Sequence, residues 1–493
     1  MRVLDWRFGF TAVYAALVVA CSAPVESDAQ SFEEERAAAT ATSQALGVDT
    51  TVASIERIEV RVPKRFNIPY TGPAEAELPD GLPLSLGSGL RLKDEPGCRC
   101  GNRGENAGYT LVGLSDRGPN GDAPDYLDAG GVKHPSKSYI APSFTPRLVT
   151  VRVRHGAAVV TQTQEIRFGR DPAVGLPPAG LTTEIGVDEG LEAIAPSQAG
   201  IDPEGLAFDG RGDPWISDEY GPALLELAAH SGRVQRRLLP GAGLPAILAS
   251  RQVNRGFEGV AVAPSGKVYG LVQSTLDVDG KTKGTAQFIR LVEYDPRTRA
   301  TRMFAYPHDV SAYKKSSDAK LGDLFALDDT HFLTLELGKD KDGNLRNLVY
   351  SFDIEAATDL TGITLPSGTN AGKELEYGTQ AELASLITTA SKTLVVDLRA
   401  YGYTAEKSEG LALVDNRTLV VINDNDFGIT ARIENDAAGG TDPTKYVVDQ
   451  NGALTLDGAP SPGSYALHAL GADAQRTELF VVRLQQPVAR FCP

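Results

Sequence analysis

Three short strings in this 493-residue chain each carry one carboxylate in the same frame. They are Glu204-Gly205-Leu206-Ala207, Glu258-Gly259-Val260-Ala261 and Glu409-Gly410-Leu411-Ala412. A turn rich in Gly, Asp, Asn or Pro follows each one, and then a second apolar run: PWISDEYG (214–221), VYGLVQST (268–275) and TLVVINDNDFG (418–428). A polar or acidic group returns at the end of those runs, as Asp218, Gln273, and Asn423 with Asp424. Two carboxylates about 4 Å apart repel by roughly 4 kcal/mol at an effective dielectric near 20. A crowded set therefore shares protons or binds a cation. Oxygen ligands with no His or Cys cluster among them suit Ca2+ first and Mg2+ second. The bland alternative is turn chemistry, with Glu capping backbone N–H groups and Gly permitting the bend.

Such groups act together only if the elements carrying them are stacked in register. Degenerate copies extend the repeat. Residues 321–338 place Asp323 where the Glu stands, with Glu336 thirteen residues later. Residues 86–92 and 110–118 form a copy opened by an insertion holding Cys98 and Cys100, and 464–470 with 478–484 form a last one. Six hairpin units that cannot bury both faces alone predict an all-β chain, a β-propeller of six blades. Seven is the alternative count and a β-sandwich pair the competing architecture. Segments 148–168 and 288–295 read as outer blade strands, and 54–62 as the strand completing the last blade. Equivalent blade positions face one end of the channel. The reading therefore gathers Glu204, Glu258, Glu409 and Asp323, with Asp116, Asp218, Glu219, Glu336, Asp424 and Asp426 near the same mouth or floor.

A net charge of −16 excludes a nucleic-acid binder, which needs clustered Lys and Arg. The abundance of Gly (51) and Pro (30) favours short strands and turns over helices. Arg2 and Arg7 precede an apolar run at 8–20, too short to span a bilayer, ending in Val-Val-Ala-Cys21. This predicts a lipoprotein-type export segment (1–21) with lipid on Cys21, against ordinary cleavage near Ala23 or Ala29. A flexible tether (22–50) and a single domain (51–493) follow. The expected molecule is a monomer in the periplasm, on the outer membrane or secreted, touching membrane only through that lipid. Cys492 is expected to pair with Cys98 or Cys100.

Other signals fail. Arg154-His155-Gly156 starts like a histidine acid phosphatase, but Ala158 and Val160 break the motif and a strand turn is expected. No Gly-x-Ser-x-Gly elbow exists; Ala459 to Gly463 is a Pro-rich near miss. Asp340-Lys341-Asp342-Gly343-Asn344 lacks the later ligands of a calcium loop and reads as a hairpin turn. His468 reads as a packed core residue.

The strings DPEGLAF…WISDEYGPALLEL, NRGFEGVAV, LTLELG and EGLALVDNRTLVVINDNDFG, with SDRGPN (115–120) and FTPRL (144–148), resemble the phytase-like family with esterase-like activity. The resemblance spans residues 80–485 and implies an exported propeller that hydrolyses a small-molecule ester or phosphoester. It implies that bound calcium holds a phosphate and activates a water. Asp116, Glu204, Asp218, Glu219, Glu258, Glu336, Glu409 and Asp424 match as metal or acid–base groups. Arg117 and Arg255 match as neutralisers of phosphate oxygens. Among these, Glu204, Glu258, Glu409, Asp218, Arg117 and Arg255 are the expected catalytic set. The alternatives are a lactonase or other metal-dependent ester hydrolase, and a non-catalytic envelope protein that binds a ligand. No dense Lys/Arg cluster suited to a highly charged inositol phosphate is present.

Overall fold

The computed structural model describes residues 52–93, 108–437 and 439–488. The expected export segment (1–21), the expected tether (22–50) and all four cysteines, with the lipid and disulfide expected on them, lie outside the described residues.

Apolar runs of four to nine residues broken by Gly, Asp and Asn turns give an all-β chain of antiparallel hairpins. Among the described residues there is one α-helix, Gln380–Leu386, started by a Thr379–Glu382 capping box. No helix there is long and apolar enough to cross a membrane.

Five four-stranded sets carry the architecture. The first holds Gly89–Leu92, Tyr109–Leu114, Arg147–Arg154 and Ala157–Glu165. The second holds Pro203–Phe208, Pro214–Asp218, Ala223–Ala228 and Arg233–Pro240. The third is Phe257–Val262, Val268–Val272, Ile289–Tyr294 and Thr301–Tyr306. The fourth is Lys320–Ala326, His331–Lys339, Leu345–Asp353 and Ser391–Asp397. The fifth runs Gly410–Asp415, Thr418–Ile422, Glu478–Leu484 and, last, the N-terminal strand Val52–Arg61. That N-terminal strand also pairs in parallel with the outer strand of the first set, Val60 opposite Ala158, which stitches the fifth set to the first.

The innermost strand of each set packs on that of the next, and the fifth returns to the first, closing a circuit. This is radial repetition of a propeller kind. The core lies in layers between adjacent sheets, with Trp215, Phe257, Phe332 and Phe352 among its largest buried side chains. Glycine recurs on the inner strands because they approach too closely for a side chain. A Cβ on Gly205 would lie 2.6 Å from the Glu258 carbonyl oxygen, and one on Gly259 would lie 2.7 Å from the Leu324 amide nitrogen.

Two expectations need correction. The sixth copy is not a sixth sheet of this kind. Ser464–Ala469 pairs with Ile429–Glu434 in an insertion, and Glu478–Leu484 is the third strand of the fifth set. That insertion joins segments 120–139, 185–187 and 446–460 in a side lobe with a small core of Ala123, Val187, Leu191, Ile433, Tyr446, Val448 and Leu454. Within it His468 is partly exposed rather than packed in a core: Nδ1 meets Glu77 at 3.1 Å and Nε2 meets Glu434 at 3.0 Å. The Asp340 segment and Arg154-His155-Gly156 are hairpin turns.

Candidate functional site

Strand register decides which side chains meet. Leu90 pairs with Gly113, Leu206 with Ile216, Val260 with Gly270, Leu324 with Thr334 and Leu411 with Val421. Those pairs make the five hairpins superimposable. Two residues before the inner partner stand Ser88, Glu204, Glu258, Gly322 and Glu409. Four before it stand Leu86, Asp202, Gly256, Lys320 and Lys407. Three residues after the outer partner stand Asp116, Glu219, Gln273, Leu337 and Asp424. The start of one hairpin strand and the end of its partner share an end of the sheet, so these three sets ring one mouth.

The same register moves Asp323 one place from its expected position. It stands where the other sheets have Gly89, Gly205, Gly259 and Gly410. Its carboxylate is therefore buried on the axis. It accepts the Leu90 and Leu411 amides at 3.1 Å each and the Leu324 amide at 2.9 Å. The Arg91 guanidinium completes it at 2.6 and 3.0 Å. Arg91 also donates to the carbonyls of Leu90, Leu411, Val260 and Leu324, tying inner strands of four sheets.

Strand alternation likewise separates Asp218 and Glu336 from the mouth ring, because each precedes by one residue the position that faces it. Asp218 accepts the Asp202 and Tyr220 amides and pairs with Arg237 on its own outer strand at 3.0 Å. Glu336 pairs with Lys392 on its outer strand at 2.7 Å and accepts the Tyr306 and Tyr313 hydroxyls. Both are clamped within their sheets.

At the mouth itself, Asp116, Asp202 and Glu204 each present a carboxylate oxygen within 4.8 Å of the other two. Burial, then Asp424 and Asp202, push the Asp116 carboxyl well above the usual range. Burial, then Asp202, Glu258 and Glu219, do the same to Glu204. Glu258 is pushed up by burial and by Glu219 and Glu409, although Gln273 donates to it at 2.8 Å. Burial and Asp202 lift Glu219 to about 8. Burial lifts Glu409 to about 7 against the pull of Lys407. These mutual influences show one connected set of carboxylates. The other described acidic triad, Asp209, Asp213 and Glu226, is already occupied by Arg211 at 2.9, 3.5 and 2.8 Å.

A cation the motif reading missed, Lys407, balances part of the ring. Lys407 meets Asp426 at 2.6 Å, Asp424 at 3.0 Å and Glu409 at 3.9 Å. Burial would raise Asp424, but Lys407 and the Ser85 hydroxyl outweigh it and hold the carboxyl at about 2. Arg117 is not free to take a phosphate. Its guanidinium meets Asp202 at 2.8 Å, Glu184 at 3.2 Å and Glu219 at 3.3 Å. Glu184, also missed, accepts the Tyr139 hydroxyl at 2.8 Å and holds Asn254. Arg255 donates to the Ser317 carbonyl and the Ser274 hydroxyl. Asp202 and Lys407 had a findable signal: each stands two residues before the Glu of a Glu-Gly pair. Glu184 had none, since a linker outside the repeat supplies it.

A model of the phytase-like family, described as esterase-like activity of phytase, matches residues 105–427, well over half of the chain. The chain belongs to this family. An uncharacterized secreted protein of Arthroderma benhamiae is 27% identical over 201 residues, which cover 33% of this chain and 39% of that protein. The match thus reaches well under half the length of that curated relative. Among solved structures, an alpha-L-arabinofuranosidase from Podospora anserina is 8% identical with a TM-score of 0.33, covering 83% of this chain and 99% of its own. A gluconolactonase from Xanthomonas campestris is 9% identical with a TM-score of 0.26, covering 81% and 98%. Overlaps this loose leave the architecture to be read from the strand pairing.

Proposed function

We propose that this phytase-like chain is an exported, five-bladed propeller hydrolase that cleaves phosphoesters with the help of a divalent cation, calcium before magnesium. The observation carrying this reading is the triad of Asp116, Asp202 and Glu204 at the mouth, three hard oxygen ligands within 4.8 Å of one another. Spacings of that size fit oxygens gathered around one ion at about 2.3–2.6 Å. Arg117 reaches only Asp202 of the three, and among the described residues no ion pair reaches Asp116 or Glu204, so their repulsion in a buried place favours a further cation. When bound, the ion supplies Lewis-acid polarisation of an ester oxygen and a more acidic water.

The chain's own groups do the rest. Glu409, pushed up to about 7, exchanges a proton readily at neutral pH, which suits a general base or acid. Glu258, whose carboxyl burial and the neighbouring Glu219 and Glu409 push well above the usual carboxylate range, is the candidate partner that gives a proton to a leaving oxygen. Arg117 acts as a positioning residue, holding Asp202, Glu184 and Glu219 in place. Asp424 stays ionised against Lys407 and fixes one side of the mouth. Export is supported by the apolar run ending at Cys21 and by the secreted relative.

Turnover of phosphomonoesters, phosphodiesters and lactones, each with calcium and with chelator, tests the reading. Chelator-sensitive phosphoester cleavage is expected. Cleavage of lactones alone, or a phosphoesterase indifferent to chelation, would contradict it.

A further inference from the structure

The mouth is charged asymmetrically. The register position four residues before the inner partner is Asp202 in the second sheet but Lys320 in the fourth and Lys407 in the fifth. The two lysines are not equivalent in what they meet. Lys407 is followed two residues later by Glu409 and is held by Asp424 and Asp426 as well. Lys320 is followed two residues later by Gly322, so the position that carries Glu409 beside Lys407 offers it no carboxylate, and Asp323 on the same strand is taken by Arg91. Among the described residues no hydrogen bond or ion pair reaches its ammonium, although it lies within the fields of Glu258 and Glu409. Burial and the nearby Arg255 and Lys407 charges make that ammonium less comfortable than one in water. Arg255 adds a second cation on this side, its guanidinium anchored to Ser317 and Ser274. A half-buried ammonium without a hydrogen-bond or ion-pair partner, at the register position that Asp202 of the triad holds in the second sheet, is arranged for a ligand that is anionic on one side and cation-coordinating on the other.

We infer that Lys320 receives an anionic group of the substrate, a phosphate or a carboxylate, and so selects charged esters over neutral ones. This rests on the hydrolase reading for the word substrate, but the binding itself can be measured without turnover. A charge-assisted hydrogen bond contributes about 1.5–3 kcal/mol, so losing it lowers affinity by about tenfold or more.

The test is calorimetric titration of the calcium-loaded protein with inorganic phosphate and, in a second arm, acetate. Wild type is compared with Lys320→Gln and Lys320→Arg, whose melting curves report folding. Binding of phosphate, of acetate or of both to wild type is expected, weakened about tenfold or more in Lys320→Gln and largely restored in Lys320→Arg. The stronger arm identifies the anion. For a hydrolysed anionic ester, Lys320→Gln should raise KM more than it lowers kcat. Equal affinity in wild type and a folded Lys320→Gln, or no binding of either anion to wild type, would overturn the inference. If Lys320 governs anion binding but no ester is cleaved, the hydrolase reading fails and the anion site stands.

Discussion

At the residue scale, neighbours in sequence have opposite fates because one step along a strand turns a side chain to the other face. Glu219 faces the mouth while Asp218 is clamped to Arg237. Asp424 faces it while Asn423 bonds to the Arg476 carbonyl and the Glu478 amide. The chemistry of the ring was legible in the Glu-Gly pairs, but the identity of each partner was not, since Arg237 and Lys392 come from outer strands that carry no motif. The buried Arg91–Asp323 pair is the sharpest case. Removing one member leaves the other buried and uncompensated, which costs about 3–5 kcal/mol. Arg91→Met is therefore expected to lower the unfolding free energy by about that amount in denaturant melts. A loss under about 1 kcal/mol would show that the axis tolerates a bare Asp323.

At the element scale, the repeating unit is a hairpin, and in three of the five the inner strand carries an irregularity at the Glu-Gly step or its equivalent. The pairing shifts register between Pro203 and Leu206, between Phe257 and Gly259, and between Leu321 and Leu324. Such bulges re-aim side chains at the end of a strand, which is how Glu204 and Glu258 reach the mouth. The hairpins themselves, the outer strands at 148–168 and 288–295, and the closing N-terminal strand were readable from apolar runs and turns. The sheet count was not. Ser464–Ala469 has a strand pattern that fits a lobe insertion as well as an inner strand, and only its pairing with Ile429–Glu434 decides. The Gly of the pair also has a steric role that can be tested. Gly205→Ala would set a Cβ 2.6 Å from the Glu258 carbonyl oxygen and from the Ser217 hydroxyl. Overpacking of this sort costs about 1–3 kcal/mol, so a lower melting temperature is expected. Unchanged melting would mean the inner strands can part.

At the scale of the whole molecule, the mouth stores repulsion that a cation or protons can relieve. Glu219 and Glu409 have folded values of about 8 and about 7 against an ordinary 4.5. Between those limits the folded chain holds protons that the unfolded chain has released, so metal-free stability falls as pH rises from about 4.5 to about 8. Asp424 works the other way, adding stability above its ordinary 3.8 that is lost as pH falls through about 2. Metal-free protein should thus melt higher at pH 5 than at pH 8, and a melting temperature that rises across that range would refute the assignment. The central claim is that a divalent cation balances Asp116, Asp202 and Glu204. Melting curves at pH 7.5 with increasing calcium test it most directly, using wild type and Glu204→Gln. The account predicts that calcium raises the wild-type melting temperature in proportion to the logarithm of its excess over the dissociation constant, and that Glu204→Gln folds but loses most of that rise. A wild-type curve unmoved by millimolar calcium, or an equal rise in both proteins, would contradict it.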